Sequence, residues 1–252
     1  HVPLIENNPF SAIKNNFLDT FEFMKFISKH NIPNFCLISS DKAVRPTNIM
    51  GASKRLSELA LSYLDNSKSN KTIFCSVRFG NVINSSGSVK PLFQEQIDNN
   101  FPVTLTHKKI IRYFMTIEEA ANLVLNTTKI SQGGEIFLLD MGDPIKLYDL
   151  AKLMIQFSGK SLKKNGNGDI DIKIIGLREG EKLYEELLID EKSLKSPVKY
   201  IYQSLESKIS NKNFQEIYSN VLNSYRLNNI KSLKKTLKRK FINYVADKWQ
   251  KK

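Results

Sequence analysis

The feature that most constrains the fold is a repeated exchange between short apolar runs and longer stretches with helical spacing. "NFCLISS" (34–40) holds the short apolar run 35–38, which suits a buried parallel strand. Turn-forming residues follow it, and then "NIMGASKRLSELALSYL" (48–64), which predicts a helix. "KTIFCSVRFGNV" (71–82) reads as the next strand and enters a Gly-Asn loop; "VKPLFQEQI" (89–97) reads as the next helix. Strands and helices in this order build parallel strands with helical crossovers, the α/β class. Upstream, "PFSAIKNNFLDTFEFMKFISKH" (9–30) predicts a crossover helix lying on the sheet that receives residues 35–39.

From residue 101 the elements shorten. "FPVTLT" (101–106) and "IRYFMT" (111–116) predict strands, and Thr116 with Glu119 predicts a capping box for "IEEAANLVLNTTK" (117–129). "GEIFLLD" (134–140) reads as a strand, "PIKLYDLAKLMIQFSG" (144–159) as a helix ending at glycine, and "DIDIKIIG" (169–176) as a strand after a polar loop. "GEKLYEELL" (180–188) predicts the start of a further helix. This pattern describes a sheet domain that accepts a smaller mixed α/β domain.

With 252 residues, 41% of them apolar, the chain has material for one large core or two modest ones. No eighteen consecutive residues are apolar, and "HVPLIENNPF" lacks the basic run and apolar core of a signal peptide, so the reading is a soluble chain. Cys36 and Cys75 lie in apolar runs and match no metal-ligand or redox spacing; buried thiols in a reducing compartment are the expectation. The formal charge of +13 is concentrated, because residues 226–252 hold ten Lys or Arg against Asp247 alone. Apolar residues at 230, 233, 237, 241, 245 and 249 predict an amphipathic basic helix there. Such a helix suits a membrane surface with acidic headgroups, or equally the solvated side of an ordinary terminal helix. Neither a zinc-finger spacing nor an aromatic single-strand platform accompanies the charge, which argues against nucleic acid.

The densest chemistry sits in "SSDKAVRPTNIMGASK" (39–54). If 35–39 form a parallel strand, Ser39, Ser40, Asp41 and Lys42 occupy its C-terminal end, where open α/β sheets bind ligands. Pro46 keeps the chain out of helix before the next helix begins, and that helix carries Met50 and Lys54 on one face at i and i+4. An Asp beside a Lys supplies a proton donor and a proton acceptor, which suits an elimination.

The runs "ISSDKAVRPTNIMGASKR", "VRFGNVINSSGSVKPLFQEQI", "RYFMTIEEA" and "GLREGEKLYEELL" together resemble the polysaccharide-biosynthesis nucleotide-sugar 4,6-dehydratases of the extended short-chain dehydrogenase/reductase family. The likeness is to the large membrane-associated type acting on UDP-N-acetylglucosamine, and it extends over roughly residues 1–205. It implies an incomplete Rossmann-like parallel sheet with a smaller substrate domain. Residues 1–100 would be the C-terminal part of the dinucleotide-binding domain, 101–205 predominantly the substrate-binding region interleaved with it, and 206–252 a helical basic extension. It also implies NAD or NADP as cofactor, a UDP-sugar as substrate, a homo-oligomer, and a full-length protein on the cytoplasmic side of the bacterial inner membrane.

In that family C4 of the hexose is oxidised, water is eliminated across C5 and C6, and hydride returns to C6. By resemblance Lys42 is the C5 base, Asp41 the acid for the leaving C6 hydroxyl, and Ser40 a hydroxyl near the C4 oxygen. Lys54 binds the nicotinamide ribose, with Asn16 and Ser39 also on the cofactor side. Asn81, Ser88, Arg112, Arg178 and Glu181 contact the sugar nucleotide, the arginines on phosphate oxygens and Glu181 on ribose hydroxyls. Ion pairing at a helix terminus for Arg178 and Glu181, and a surface position for Arg112, are the structural alternatives. No metal is implied.

Two departures stand out. Met50 occupies the place of the wider family's catalytic tyrosine and cannot take a proton, a substitution shared with the large membrane-associated type. The C4 hydroxyl proton would then pass to Asp41, to Ser40 through water, or through water to Lys54. Asp19 stands where glycine is usual, while Thr20 is retained, and the chain contains no G-x-x-G-x-x-G fingerprint, so it reads as a C-terminal fragment. A UDP-sugar 4-epimerase, and a non-catalytic remnant that binds a sugar nucleotide or a partner, are the alternative functions.

Overall fold

In the computed structural model residues 2–67, 70–85, 87–164, 166–186 and 193–245 are described. Helices α1 (Val2–Asn7) and α2 (Pro9–Ala12), a π-helical turn at Ile13–Asp19 and α3 (Thr20–Lys29) lead into β1 (Asn34–Ile38). A 3₁₀ turn at Asp41–Ala43 and α4 (Ile49–Asp65) precede β2 (Ile73–Arg78), β3 (Asn81–Val82) and α5 (Val89–Asp98). Short strands β4 (Val103–Leu105), β5 (Ile111–Arg112) and β6 (Phe114–Met115) are followed by α6 (Ile117–Ile130) and β7 (Glu135–Leu139). Then come β8 (Ile145–Lys146), α7 (Leu147–Phe157), β9 (Ile172–Ile174), β10 (Ser193–Lys195), β11 (Ile201–Ser204), α8 (Asn211–Arg226) and α9 (Ile230–Leu237).

The chain divides into two compact units. The first comprises 1–79, 121–140 and 186–252, the second 80–120 and 141–185. In the first unit a five-stranded sheet runs β1-β2-β7-β11-β10. β1, β2 and β7 are parallel, while β11 runs antiparallel to β7 and β10 antiparallel to β11. The β1-α4-β2 passage is the helical crossover that a parallel pair requires. Cys36 and Cys75 are free thiols set opposite each other in the β1/β2 register.

The core on the α4 side of this sheet joins Phe17, Phe21, Met24, Leu56 and Phe74 to Phe214, Ile217 and Val221 of α8 and Leu233 and Leu237 of α9. Phe21 meets Phe214 edge-on with ring centroids 5.2 Å apart, and Tyr63 stacks on Phe214 at 4.5 Å. Burying each such ring or leucine contributes about 1.5–3 kcal/mol. Of the apolar stripe expected in the basic terminal segment, Leu233 and Leu237 are thus buried in this core, while Val245 is exposed. The helix also ends at Leu237 instead of running on to 249. Ile242 and Tyr244 lie off the 233-237-241-245 stripe, and the chain leaves the helix and turns so that both are buried. Residues 246–249 of the expected helix lie outside the described residues.

Under the sheet's C-terminal end lies a buried ionic network. Glu58 of α4 takes Arg78 Nε at 2.8 Å, Arg78 Nη2 at 2.7 Å, Arg55 Nη1 at 2.9 Å and the Ser39 hydroxyl at 2.5 Å. Glu206 completes it, 2.7 Å from Arg55 Nη1 and also hydrogen-bonded to Arg78. Two carboxylates and two guanidiniums leave no net charge. Burial pushes the Glu58 carboxyl up, but the two arginines and the Ser39 hydroxyl outweigh it and hold it down at about 2.

The second unit packs Phe93 and Ile97 of α5 against Val103, Leu105, Ile110, Ala151, Ile155 and Ile170. Its strands pair two by two: β3 with β6 and β4 with β9 in parallel, β5 with β8 antiparallel. The capping box forms as expected, Glu119 N donating to Thr116 Oγ1 and Thr116 N to Glu119 Oε2. The helix expected from residue 180 does not form over 181–186. Ile111 N donates to Leu183 O, and the Arg112 guanidinium draws in Glu181 and Glu185, so the segment's groups are taken by β5 instead of by a helix. Among the described residues no helix is long and apolar enough to cross a membrane.

A carboxyl held at about 2 when folded and near 4.3 when unfolded stabilises the fold above about pH 5, and that contribution is lost as pH falls toward 2. In urea unfolding followed from about pH 6 to pH 2, the wild-type protein is expected to lose about 3 kcal/mol through this group. Glu58→Gln should lose that pH dependence and start about 3–5 kcal/mol lower, because it strands buried guanidiniums. An unchanged pH profile would contradict the pairing.

Candidate active site

The first unit gathers six of the residues singled out above: Asn16, Ser39, Ser40, Asp41, Lys42 and Lys54. The β1/β2 pairing continues past the strand end, with Ser39 N donating to Val77 O at 2.8 Å and Asp41 N to Phe79 O at 3.1 Å. This pins the backbone where the 3₁₀ turn begins. Ser40 caps the turn by accepting from Lys42 N at 3.3 Å, and its hydroxyl donates to Asp41 Oδ1 at 2.9 Å. Lys42 Nζ donates to the same Oδ1 at 2.9 Å. Asp41 is only 1% exposed, so the carboxylate is removed from water while its two partners remain half-buried.

The turn is held against α4 by close backbone approach. Asn48 caps the helix, accepting from Gly51 N at 2.8 Å, and Glu6 accepts from Ile49 N at 2.5 Å. A Cβ on Gly51 would stand 2.0 Å from the Lys42 carbonyl oxygen, so only glycine lets the first turn of α4 press on Lys42. Arg45, just before Pro46, is left-handed at φ 40 and reaches Glu186 at 3.0 Å. Along α4, Met50 and Lys54 are partly exposed where the residues between and after them are buried. Lys42 is likewise partly exposed.

Lys54 Nζ donates to Ile38 O at 3.1 Å, at the C-terminal end of β1. Burial holds its ammonium below the usual lysine range, against the opposing pull of Glu58 one turn further along α4. Ser39 turns inward and gives its hydroxyl proton to Glu58. Asn16 donates to Ser53 Oγ at 2.9 Å, and its carbonyl accepts from Ser57, which docks the π-helical turn onto α4.

The second unit holds the other group. Arg112 is buried, with Nη2 3.3 Å from Glu181 and Nε 3.8 Å from Glu185. Glu181 also accepts from Thr106 Oγ1 at 3.0 Å and from Arg178 N at 3.1 Å. Arg112 is thus no surface residue, and Arg178 and Glu181 close a loop, not a helix end. The Arg178 side chain is exposed. Asn81 donates to Tyr113 O at 3.2 Å, next to Arg112 in sequence. Ser88 precedes α5, and its buried hydroxyl has no hydrogen-bond partner among the described residues.

Glu58, Arg78 and Gly51 escaped the reading of the sequence as site residues. Each left a trace: Glu58 follows Lys54 by four residues and Arg55 by three, Arg78 ends an apolar strand, and Gly51 sits unexplained in a helix's first turn. Replacing an open helical glycine by alanine normally stabilises by about 1 kcal/mol. At position 51 the sign should invert, with Gly51→Ala costing about 1–3 kcal/mol in urea unfolding because Lys42's backbone must move. A gain in stability would show that the close approach is absent.

The chain is 52% identical over 188 residues to the capsular polysaccharide biosynthesis protein CapD of Staphylococcus aureus, covering 75% of this chain and 30% of that protein. It is 35% identical over 196 residues to a UDP-glucose 4-epimerase of Rickettsia bellii, covering 77% of this chain and 55% of that one. The chain therefore spans between about a third and about a half of these curated relatives. The X-ray structure of Pen from Bacillus thuringiensis superposes with a TM-score of 0.73 at 35% identity, over 89% of this chain and 73% of that one. Residues 1–206, which carry both groups of candidate site residues, match the family described as polysaccharide biosynthesis protein, and the chain belongs to that family.

Proposed function

We propose that this chain carries the elimination centre of a nucleotide-sugar 4,6-dehydratase, converting UDP-N-acetylglucosamine to its 4-keto-6-deoxy derivative for polysaccharide or glycan synthesis. The observation that carries the reading is the Lys42–Asp41 pair, 2.9 Å apart at the end of β1, with Asp41 buried and a methionine where a tyrosine base would stand.

The pair suits the chemistry because its charge states close on themselves. Passing the shared proton from Lys42 Nζ to Asp41 Oδ1 turns an ion pair into a free amine and a neutral acid. With C4 oxidised, the adjacent C5 proton is acidic; Lys42 takes it, and Asp41 delivers its own proton to the departing C6 hydroxyl. Water leaves, and the pair is again ammonium and carboxylate. Each positioned transfer is worth on the order of 10² to 10⁴ in rate. Ser40, bonded to the same carboxylate oxygen, orients it toward one side.

NAD or NADP, when bound, would supply the acceptor for the C4 hydride and return it at C6. The residues present suit the nicotinamide-ribose end of such a dinucleotide: Lys54 offers a partly exposed ammonium to ribose hydroxyls beside the end of β1. Ser39 and Asn16 serve that end indirectly, Ser39 by fixing Glu58 and Asn16 by holding the π-helical turn on α4. In the second unit Arg178, Arg112 and Glu181 are proposed as the contacts to diphosphate and ribose, with Asn81 and Ser88 beside them.

A 4-epimerase is the second reading, favoured by the identity to the Rickettsia protein of that name. An epimerase has no use for an acid and base at C5 and C6, and the Lys42–Asp41 pair therefore supports elimination as the first reading. With the full-length protein, NAD and UDP-N-acetylglucosamine, mass spectrometry should find a product lighter by one water; a product of unchanged mass would mean epimerisation, and no turnover a binding role. In deuterated water Lys42→Ala should cut C5 exchange on the order of 10²-fold or more while leaving UDP-sugar affinity within about threefold. Wild-type exchange in that variant would remove Lys42 as the base.

A further inference from the structure

Residues 239–245 lie beyond the family match, and the mechanism above does not use them, yet they reach the site's support at two points. After α9 the chain turns back on itself: Ile242 N donates to Arg239 O at 3.0 Å, Asn243 N to the same oxygen at 2.7 Å, and Asn243 is left-handed at φ 55. Ile242 and Tyr244, 2% and 3% exposed, enter the core that contains Ile49, Ala52 and Leu56 of α4. This anchors the segment against the helix that carries Lys54.

The two contacts are made by backbone atoms. Phe241 O accepts from Arg55 Nε at 3.1 Å. Arg55 directly follows Lys54, and its Nη1 holds both Glu58 and Glu206, so this bond fixes the guanidinium that fixes Glu58. Val245 N donates to Pro46 O at 3.0 Å. Pro46 lies between the Asp41–Ala43 turn and the Asn48 cap, and its Cβ is one of the atoms crowding Gly51, 3.2 Å from the place a Cβ there would take. One short stretch of backbone thus holds both the loop that joins the Asp41–Lys42 turn to α4 and the arginine next to Lys54.

We propose that Phe241–Val245 is a positioning strap that sets the Asp41–Lys42 turn against the Lys54 face of α4. The catalytic consequence rests on the dehydratase reading; the structural one does not. Proline at 245 removes the donated N–H, whereas alanine removes only the side chain and keeps it. Hydrogen–deuterium exchange in the full-length protein, resolved over residues 43–52, reads the strap without any turnover. Val245→Pro should speed exchange there by about tenfold, the equivalent of one hydrogen bond, while β2 and β7 keep their protection and Val245→Ala matches wild type. In the UDP-N-acetylglucosamine assay kcat should fall in Val245→Pro with KM held within about twofold, because the chemistry and not the binding loses its geometry, and alanine should restore kcat. If Val245→Pro does not fold, Ile242→Ala, which loosens the anchor of the same segment, is read in the same way. Unchanged exchange over 43–52 in a folded variant would overturn the strap. Faster exchange in a protein that turns over no sugar nucleotide would support the strap and remove the dehydratase reading alone.

Discussion

The four-membered ion network of Glu58, Arg78, Arg55 and Glu206 is the interaction on which the first unit is arranged. It ties α4 to the end of β2, to Ser39 at the end of β1, and to the stretch after β11. A buried network of this kind is no guarantee of stability, since apolar side chains of the same volume could serve as well. It does enforce register. Sliding α4 along the sheet by one residue would leave a buried charge unpaired at a cost of several kcal/mol, so Lys54, one turn before Glu58, is held where β1 ends.

On that frame the candidate site is set by distances that backbone atoms define. The 3₁₀ turn begins where β1 stops pairing with β2, Ser40 caps it, and Gly51 lets α4 close on the Lys42 carbonyl. Asp41 and Lys42 are neighbours in sequence, but neighbours in sequence usually diverge. It is the tight turn that returns Lys42 Nζ to the Asp41 carboxylate. The helix contributes a thioether and an ammonium at i and i+4, and the C-terminal segment, from outside the family match, supports the loop between turn and helix.

Most of the first unit was legible because its signals are local. β1, α4, β2 and β7 follow from apolar runs and helical spacing, and the capping box at Thr116 and Glu119 from two residues. The errors came where a distant partner outbid local pattern. Residues 181–186 have helical spacing, yet β5 and Arg112 claim their polar groups. The basic terminal stretch has a helical stripe through 249, yet two residues off that stripe, Ile242 and Tyr244, find a core and bend the chain away. Within the candidate site, the placement of Asp41 and Lys42 at the end of β1 and of Lys54 on α4 was legible from residue type and order. Glu58, Arg78 and the Pro46–Val245 bond were not, because each depends on contacts between segments far apart in sequence.

The central claim is that the Lys42–Asp41 pair drives an elimination between oxidation at C4 and reduction at C6. The fate of the C4 hydrogen tests it most directly. UDP-N-acetylglucosamine carrying deuterium at C4, converted by the full-length protein with unlabelled cofactor in ordinary water, should give a product whose C6 methyl group contains that deuterium, by NMR. Deuterium returned to C4 with the C6 hydroxyl intact would contradict the claim.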